Sequence, residues 1–247
     1  MIIAVCFQKG GVAKTTTAAI LTQAAAHVGA RPLAIDIDPQ GNLSLALGAQ
    51  ITRESGSSFS IFTGKPAADQ IQTTAQGIEM IPASRNLATI TSSRGSARRL
   101  QEALEPIRGA FDPIIIDTPA TPGEMQYNAL QAADIQLMPI LTDGYNIQSL
   151  YQTMETAQQI RASNPRLKTA FIIANFYTRT KMARAVRETI IEKAREAGAA
   201  YLGTVRRGVP LEEAALFRES IYKRSPRSNQ ARDYLEIFHR ITNNKYM

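Results

Sequence analysis

Three stretches of this sequence carry side chains suited to handling a polyphosphate. The first is Gln8-Lys9-Gly10-Gly11-Val12-Ala13-Lys14-Thr15-Thr16, directly after a short apolar run at residues 1–7. Gly10 and Gly11 have no Cβ, so backbone N–H groups there can approach an anion. A helix starting at Lys-Thr would aim its positive end at the same anion. Lys14 would reach the β- and γ-phosphates, and the Thr15 hydroxyl would ligate Mg²⁺. The ordinary Walker A pattern asks for glycine where this chain has Gln8 and Ala13, and does not ask for Lys9. A tight strand-to-helix turn with a chance lysine is the plainer reading. It leaves the glycine pair and the Lys-Thr-Thr run unexplained.

The second stretch, residues 33–42, reads LAIDIDPQGN. Strand alternation places Asp36 and Asp38 on one side of the chain. Two like charges at a strand end repel and lose solvation, so stability does not account for them. A water-positioning or metal-linked role is expected for the pair; a turn built on Asp-Pro would explain only one. The third stretch, residues 113–120, reads PIIIDTPA. A run of isoleucines ending in one acid is a Walker B strand, in which Asp117 holds Mg²⁺ through water.

These residues need a scaffold that brings three strand ends together. Strand-like runs stand at residues 1–7, 32–37, 77–81, 113–116, 135–140, 169–174 and 200–205. Helical spacing occupies residues 15–28, 96–107, 123–133, 147–162 and 181–197, then a segment from Pro210 and a last one from 229 to about 241. A softer region at 51–76, rich in Ser, Thr, Gly and Gln, holds two short helix candidates. Alternating strands and helices predict an α/β fold: a doubly wound, mostly parallel sheet flanked by helices. Ligands of such sheets bind at the carboxyl ends of the strands. No linker or repeat interrupts the chain, so residues 1–247 are expected to form a single P-loop domain.

Composition narrows the class further. One cysteine, Cys6, excludes a disulfide framework or a cysteine metal cluster within one chain, and its place in the first apolar run suggests core packing. No long uncharged apolar segment is present, and residues 1–7 lack the basic start of a signal peptide. A cytoplasmic protein is expected. The net charge of +7 favours an acidic partner.

The motifs together resemble the ParA/MinD ATPases. KGGVAKTT at 9–16 is similar to that family's deviant Walker A, Lys-Gly-Gly-x-x-Lys-Ser/Thr. IDIDPQGN at 35–42, IDTPATPGEMQYNAL at 116–130 and QLMPILTDGYNIQSL at 136–150 resemble its later signatures. VRRGVPLEEA at 205–214 and SIYKRSPRS at 220–228 resemble the C-terminal part of partition ATPases, the ParA/Soj branch. The resemblance implies a P-loop NTPase with a deviant Walker A motif, using ATP and Mg²⁺ to close a sandwich homodimer. In it Lys9 reaches the partner's phosphates in trans, as an arginine finger does, and Lys14 serves the cis phosphates. Asp38 orients the attacking water and, through water, joins the Mg²⁺ shell of Thr15 and Asp117. The nucleotide set it implies is Lys9, Gly10, Gly11, Val12, Ala13, Lys14, Thr15, Thr16, Asn175, Arg207 and Val209. Two departures stand out. Arg206-Arg207-Gly208 replaces a common Pro-Arg-Asn, and Ala13 replaces a usual glycine. Because the pattern leaves position 13 free, a negative φ is expected there.

The family divides by what the ATP dimer binds. Membrane-bound members carry a C-terminal amphipathic helix. Here Tyr234, Leu235, Phe238 and Ile241 fall at helical spacing that packing on the domain explains, and the polar face is mixed, so no membrane partner is expected. DNA-binding members spread basic residues over the dimer. The candidates are Arg184, Arg187, Arg206, Arg218, Lys223, Arg224 and Arg227, with Lys181 beside them. Such contacts are to phosphate, non-specific and salt-dependent. With the Walker strand at the very start, an operator-reading extension is not expected. The resemblance thus implies a nucleoid-associated ATPase that partitions a plasmid or chromosome. A ParB-like centromere-binding protein would stimulate its slow hydrolysis. The alternatives are a MinD-like positioning ATPase with a membrane or protein cargo, or a metabolic enzyme of the same fold. A reductase-activating iron protein would need cluster cysteines; a carboxylating or amidating enzyme would need a substrate pocket.

Overall fold

In a computed structural model of the chain, residues 1–49, 56–90, 96–142, 146–176 and 181–243 are described. Among these residues eight strands form one sheet: β1 (Ile2–Val5), β2 (Leu33–Asp36), β3 (Gln72–Thr73), β4 (Glu79–Ile81), β5 (Ile114–Asp117), β6 (Ile135–Ile140), β7 (Lys168–Phe176) and β8 (Ala200–Arg206). Their order is β3-β4-β2-β5-β1-β6-β7-β8. Only β3, which the sequence reading did not foresee, runs antiparallel. The strands of the centre are apolar without alternation because helices cover both faces. Ile2, Ile3, Ala4 and Val5 are all buried, as are Ile114, Ile115 and Ile116.

The helices are α1 (Lys14–His27), α2 (Asn42–Leu47), α3 (Ser58–Phe62), α4 (Arg99–Leu104), α5 (Glu124–Ala132), α6 (Asn146–Arg161), α7 (Lys181–Glu196), α8 (Val209–Phe217), α9 (Ile221–Arg224) and α10 (Asn229–Thr242). One core layer packs α1 and α10 against the sheet through Ile20, Leu21, Ile172, Leu202, Tyr234 and Phe238. The opposite layer joins Ile35, Phe62, Leu100, Leu104, Ile116 and Leu130. Alanines 18, 19, 24 and 25 of α1 are buried, which lets the helix sit close to the strands.

The single helix expected at 96–107 is divided. A 3-10 turn covers Ser96–Arg98, α4 ends at Leu104, and a second 3-10 segment covers Glu105–Ala110. Pro106 accounts for the break after Leu104, since its ring has no N–H to continue the helical hydrogen bonds. In the softer region, α3 and a 3-10 turn at Ala68–Gln70 are the two short helices; residues 50–55 lie outside the described ones.

Strand β8 ends the sheet, and α10 covers its open edge. Arg240 Nη1 donates to Leu202 O at 3.0 Å, and Gln230 Nε2 donates to Arg206 O at 3.1 Å. The Arg206 N–H donates to Asp233 Oδ2 at 2.9 Å. Satisfying these groups blocks pairing with another strand. The same packing buries the apolar face of α10, with Tyr234, Ile237, Phe238 and Ile241 all under 5% exposed. Among the described residues, no helix is long and apolar enough to cross a membrane.

Candidate functional site

Parallel register sets the site. Val5 and Asp36 both pair with Asp117, so β1, β2 and β5 end at one level. The loop after β1 therefore rises beside the two buried acids. It turns through left-handed residues, Gly11 at φ 71° and Ala13 at φ 68°, before α1 begins at Lys14. The negative φ expected at Ala13 is wrong. Ala13 is the residue that must reverse the chain into α1, and Thr17 N–H closes the first turn on Ala13 O at 2.9 Å. Holding a Cβ there costs roughly 1–2 kcal/mol, strain of the sort found at ligand-binding loops.

Lys14 is folded inward and only 7% exposed. Its Nζ donates to the Lys9 carbonyl at 2.8 Å. Burial lowers its pKa, with the nearby Asp117 opposing the shift. Thr15 Oγ1 donates to Asp117 Oδ2 at 2.7 Å. Asp117 is fully buried, and its other oxygen, Oδ1, has no hydrogen-bond partner among the described residues. Burial pushes its pKa well up, the Asp36 carboxylate adds to that, and the Thr15 hydroxyl opposes it. An unpartnered buried carboxylate oxygen beside a hydroxyl is costly unless a cation joins them. Thr15 and Asp117 therefore fit a divalent ion, and the glycine pair with Lys14 fits the phosphates that would accompany it.

The two acids of the second motif part company. Strand β2 ends at Asp36, so alternation does not carry on to Asp38. Asp36 is fully buried and braces the following segment. Its Oδ2 accepts from Ser44 N at 2.8 Å and Ser44 Oγ at 2.7 Å, and its Oδ1 from Asp38 N at 3.1 Å. The role expected for it at a metal or water is corrected to this structural one. Asp38 is half-exposed at the mouth of the site, and its Oδ1 accepts from Gln40 N at 2.9 Å.

The remaining candidates lie farther out. Val12 is buried, and Thr16 is half-buried on the first turn of α1. A cleft of about 240 Å³ between α1, α2 and α8 is lined by Thr15, Thr16, Asn42 and Leu211. Asn175 is on β7, but its side chain lies outside the described residues. Arg207 is exposed between β8 and α8, and Val209 is exposed at the first position of α8. Between them, a Cβ on Gly208 would sit 2.1 Å from Gln230 Nε2, so that side chain would have to shift. Of the basic residues, Arg206 pairs with Asp233, and Arg187 with Glu188. Arg224 lies 3.1 Å from Glu219 and 3.8 Å from the Phe217 ring. Lys181, Arg184, Arg218, Lys223 and Arg227 are exposed. The Ser44 and Gln230 contacts escaped the sequence reading: the turn after β2 brings Ser44 back onto Asp36, and Gln230 meets Arg206 only when α10 packs on β8. A separate cleft of about 840 Å³, lined by Phe62, Lys65, Arg99 and Ile107, holds none of these residues.

Comparison with known proteins agrees with this arrangement. The profile of a family described as an AAA domain matches residues 1–169. The chain is 32% identical to the chromosome partitioning protein ParA of Caulobacter vibrioides, covering 96% of this chain and 91% of that protein. It is 32% identical to the sporulation initiation inhibitor protein Soj of Bacillus subtilis, over 98% of each. Among solved structures, cobyrinic acid a,c-diamide synthase from Mycobacterium smegmatis, with a bound ATP analogue and magnesium, superposes with a TM-score of 0.84. It is 26% identical, over 100% of this chain and 97% of that one. With identity of 32% to these relatives over nearly its whole length, the chain belongs to the ParA/Soj family of partition ATPases.

Proposed function

We propose that this protein is a DNA-segregation ATPase that binds ATP and Mg²⁺, closes a homodimer and holds DNA without reading sequence. The observation that carries the reading is the pairing of Thr15 with Asp117 below a left-handed loop that bears two lysines in different settings. Lys14 is buried against the loop itself, suited to cis phosphates. Lys9 stands at the loop's shoulder, half-buried, suited to a nucleotide in the other subunit. ATP supplies the phosphates to be cleaved, and Mg²⁺ draws charge from them when bound. Thr15 and Asp117 would hold the ion, Asp117 through water. Gly10 to Thr16 would cradle the phosphates; Asn175, Arg207 and Val209 would hold the base. Asp38 would orient the attacking water and take part in the ion's shell through water. Lys9 and Lys14 would stabilise the charge that develops on phosphate. A ParB-like protein would stimulate turnover and release the dimer from the nucleoid in the cytoplasm.

The kinship to chromosome partitioning proteins and the exposed Arg184, Arg218, Lys223 and Arg227 support DNA as the partner. Arg206 and Arg224, drawn into ion pairs, are reserved for contacts that reopen those pairs. The packed apolar face of α10 favours DNA over a membrane surface. The test is DNA affinity with ADP, with ATP and with Asp38→Ala across a salt series. Binding that needs ATP and falls steeply with salt is expected. No salt-sensitive affinity in any nucleotide state would refute the DNA reading.

A further inference from the structure

The entry to the phosphate loop is tied to a helix distant in sequence. The Gln8 N–H donates to Thr153 Oγ1 at 3.1 Å, and Gln8 Nε2 donates to Thr156 Oγ1 at 2.8 Å. Both hydroxyls already spend their hydrogen one turn back along α6: Thr153 on Ser149 O at 2.7 Å, Thr156 on Gln152 O at 3.1 Å. A hydroxyl has a single donor hydrogen. Both oxygens therefore face the loop as acceptors, and Gln8 supplies the two donors. Threonine is a weak helix former, and burying its hydroxyl needs a partner. Yet Thr153 is 0% and Thr156 9% exposed, three residues apart on one face of α6.

What this clamp fixes is Lys9. The Lys9 N–H donates to Phe7 O at 2.8 Å, and the Lys9 carbonyl accepts Lys14 Nζ at 2.8 Å. With Gln8 held to α6, the lysine's backbone is secured before, at and after its Cα. The exit of the loop has anchors of its own, through α1 and the Thr15–Asp117 bond, and the Lys14–Lys9 bond joins it to the entry. Loss of the Gln8 clamp therefore leaves the exit's own anchors in place.

We propose that Gln8, Thr153 and Thr156 are positioning residues for Lys9, making α6 the base from which its side chain reaches a second subunit. This rests on the trans role of Lys9 proposed above. A long flexible side chain acting across an interface gains from a fixed Cα, because less freedom is lost on binding.

The test uses the full chain with Gln8→Leu, Thr156→Val, Thr156→Ser and Lys9→Ala. Three quantities are read: affinity of the dilute monomer for a fluorescent ATP analogue, the dimer dissociation constant in ATP and Mg²⁺ by sedimentation, and the melting temperature. Gln8→Leu and Thr156→Val should each weaken the dimer about fivefold to tenfold, the worth of one hydrogen bond. Monomer affinity should move less than about twofold on the same scale. Thr156→Ser, which keeps the hydroxyl, should match wild type. An unchanged dimer constant overturns the proposal, as does equal loss of monomer affinity and dimerisation, which would mean general damage to the loop. If Lys9→Ala abolishes the dimer while Gln8→Leu leaves it intact, only the positioning role fails. If Lys9→Ala dimerises as wild type does, the trans role of Lys9 fails and the positioning role with it.

Discussion

Replacing Ala13 with glycine should stabilise this protein, against the usual effect of that change. Ala13 stands at φ 68° and ψ 30°, in the left-handed region. Releasing its Cβ from that conformation recovers roughly 1–2 kcal/mol. Against this, glycine gives the unfolded chain more freedom, a loss of about 0.4–1 kcal/mol. The balance is a gain of about 0.5–1 kcal/mol, which for a domain of this size raises the melting temperature by about 2 °C. Ala26→Gly, on the exposed side of the same helix, supplies the contrast. There the backbone is right-handed, nothing is relieved, and the cost is about 0.5–1 kcal/mol. Thermal denaturation of both variants without nucleotide checks the argument. A fall for Ala13→Gly matching that of Ala26→Gly would refute it, because residue 13 would then not be strained.

Lys14→Ala should abolish or strongly weaken nucleotide binding, measured by titration calorimetry; unchanged affinity would refute the loop assignment. Asp38→Ala should bind ATP and give a long-lived ATP dimer on sedimentation, and wild-type turnover would remove Asp38 from catalysis. Ser44→Ala should destabilise by about 2–3 kcal/mol in urea denaturation, since it strips one donor from buried Asp36 and leaves the Ala83 N–H, now 2.9 Å from Ser44 Oγ, without its acceptor. Cys6 is fully buried, which pushes its thiol up to about 11. It should react with a disulfide reagent at pH 8 only as fast as the protein opens, and prompt labelling of the native state would contradict that burial.

Much of the site is written in local sequence. A glycine pair followed by Lys14 and Thr15 points to a phosphate loop, because residues without a Cβ let backbone N–H groups approach an anion closely. Ile114, Ile115 and Ile116 dictate a strand buried on both faces, so Asp117 at its end is held out of water. The amphipathic spacing of Tyr234, Phe238 and Ile241 likewise foretells a helix that packs on the domain. Pro106 carries the local signal that breaks the helix expected at 96–107.

Tertiary structure settled what spacing leaves open. Asp36 and Asp38 are equivalent by alternation, yet one is a buried brace and the other stands at the mouth, because the strand stops between them. Ala13 is left-handed because the loop must turn into α1 over a fixed distance, a demand that no residue type at position 13 announces. Gln8 fails the Walker pattern in the sequence and finds its use only when α6 brings Thr153 and Thr156 beside it. Sequence by itself determined the chemistry of the loop, since glycine, lysine and threonine have those properties anywhere. The fold alone decided which groups are buried, paired or strained; for Gln8 and Thr15 the partners lie more than a hundred residues away along the chain.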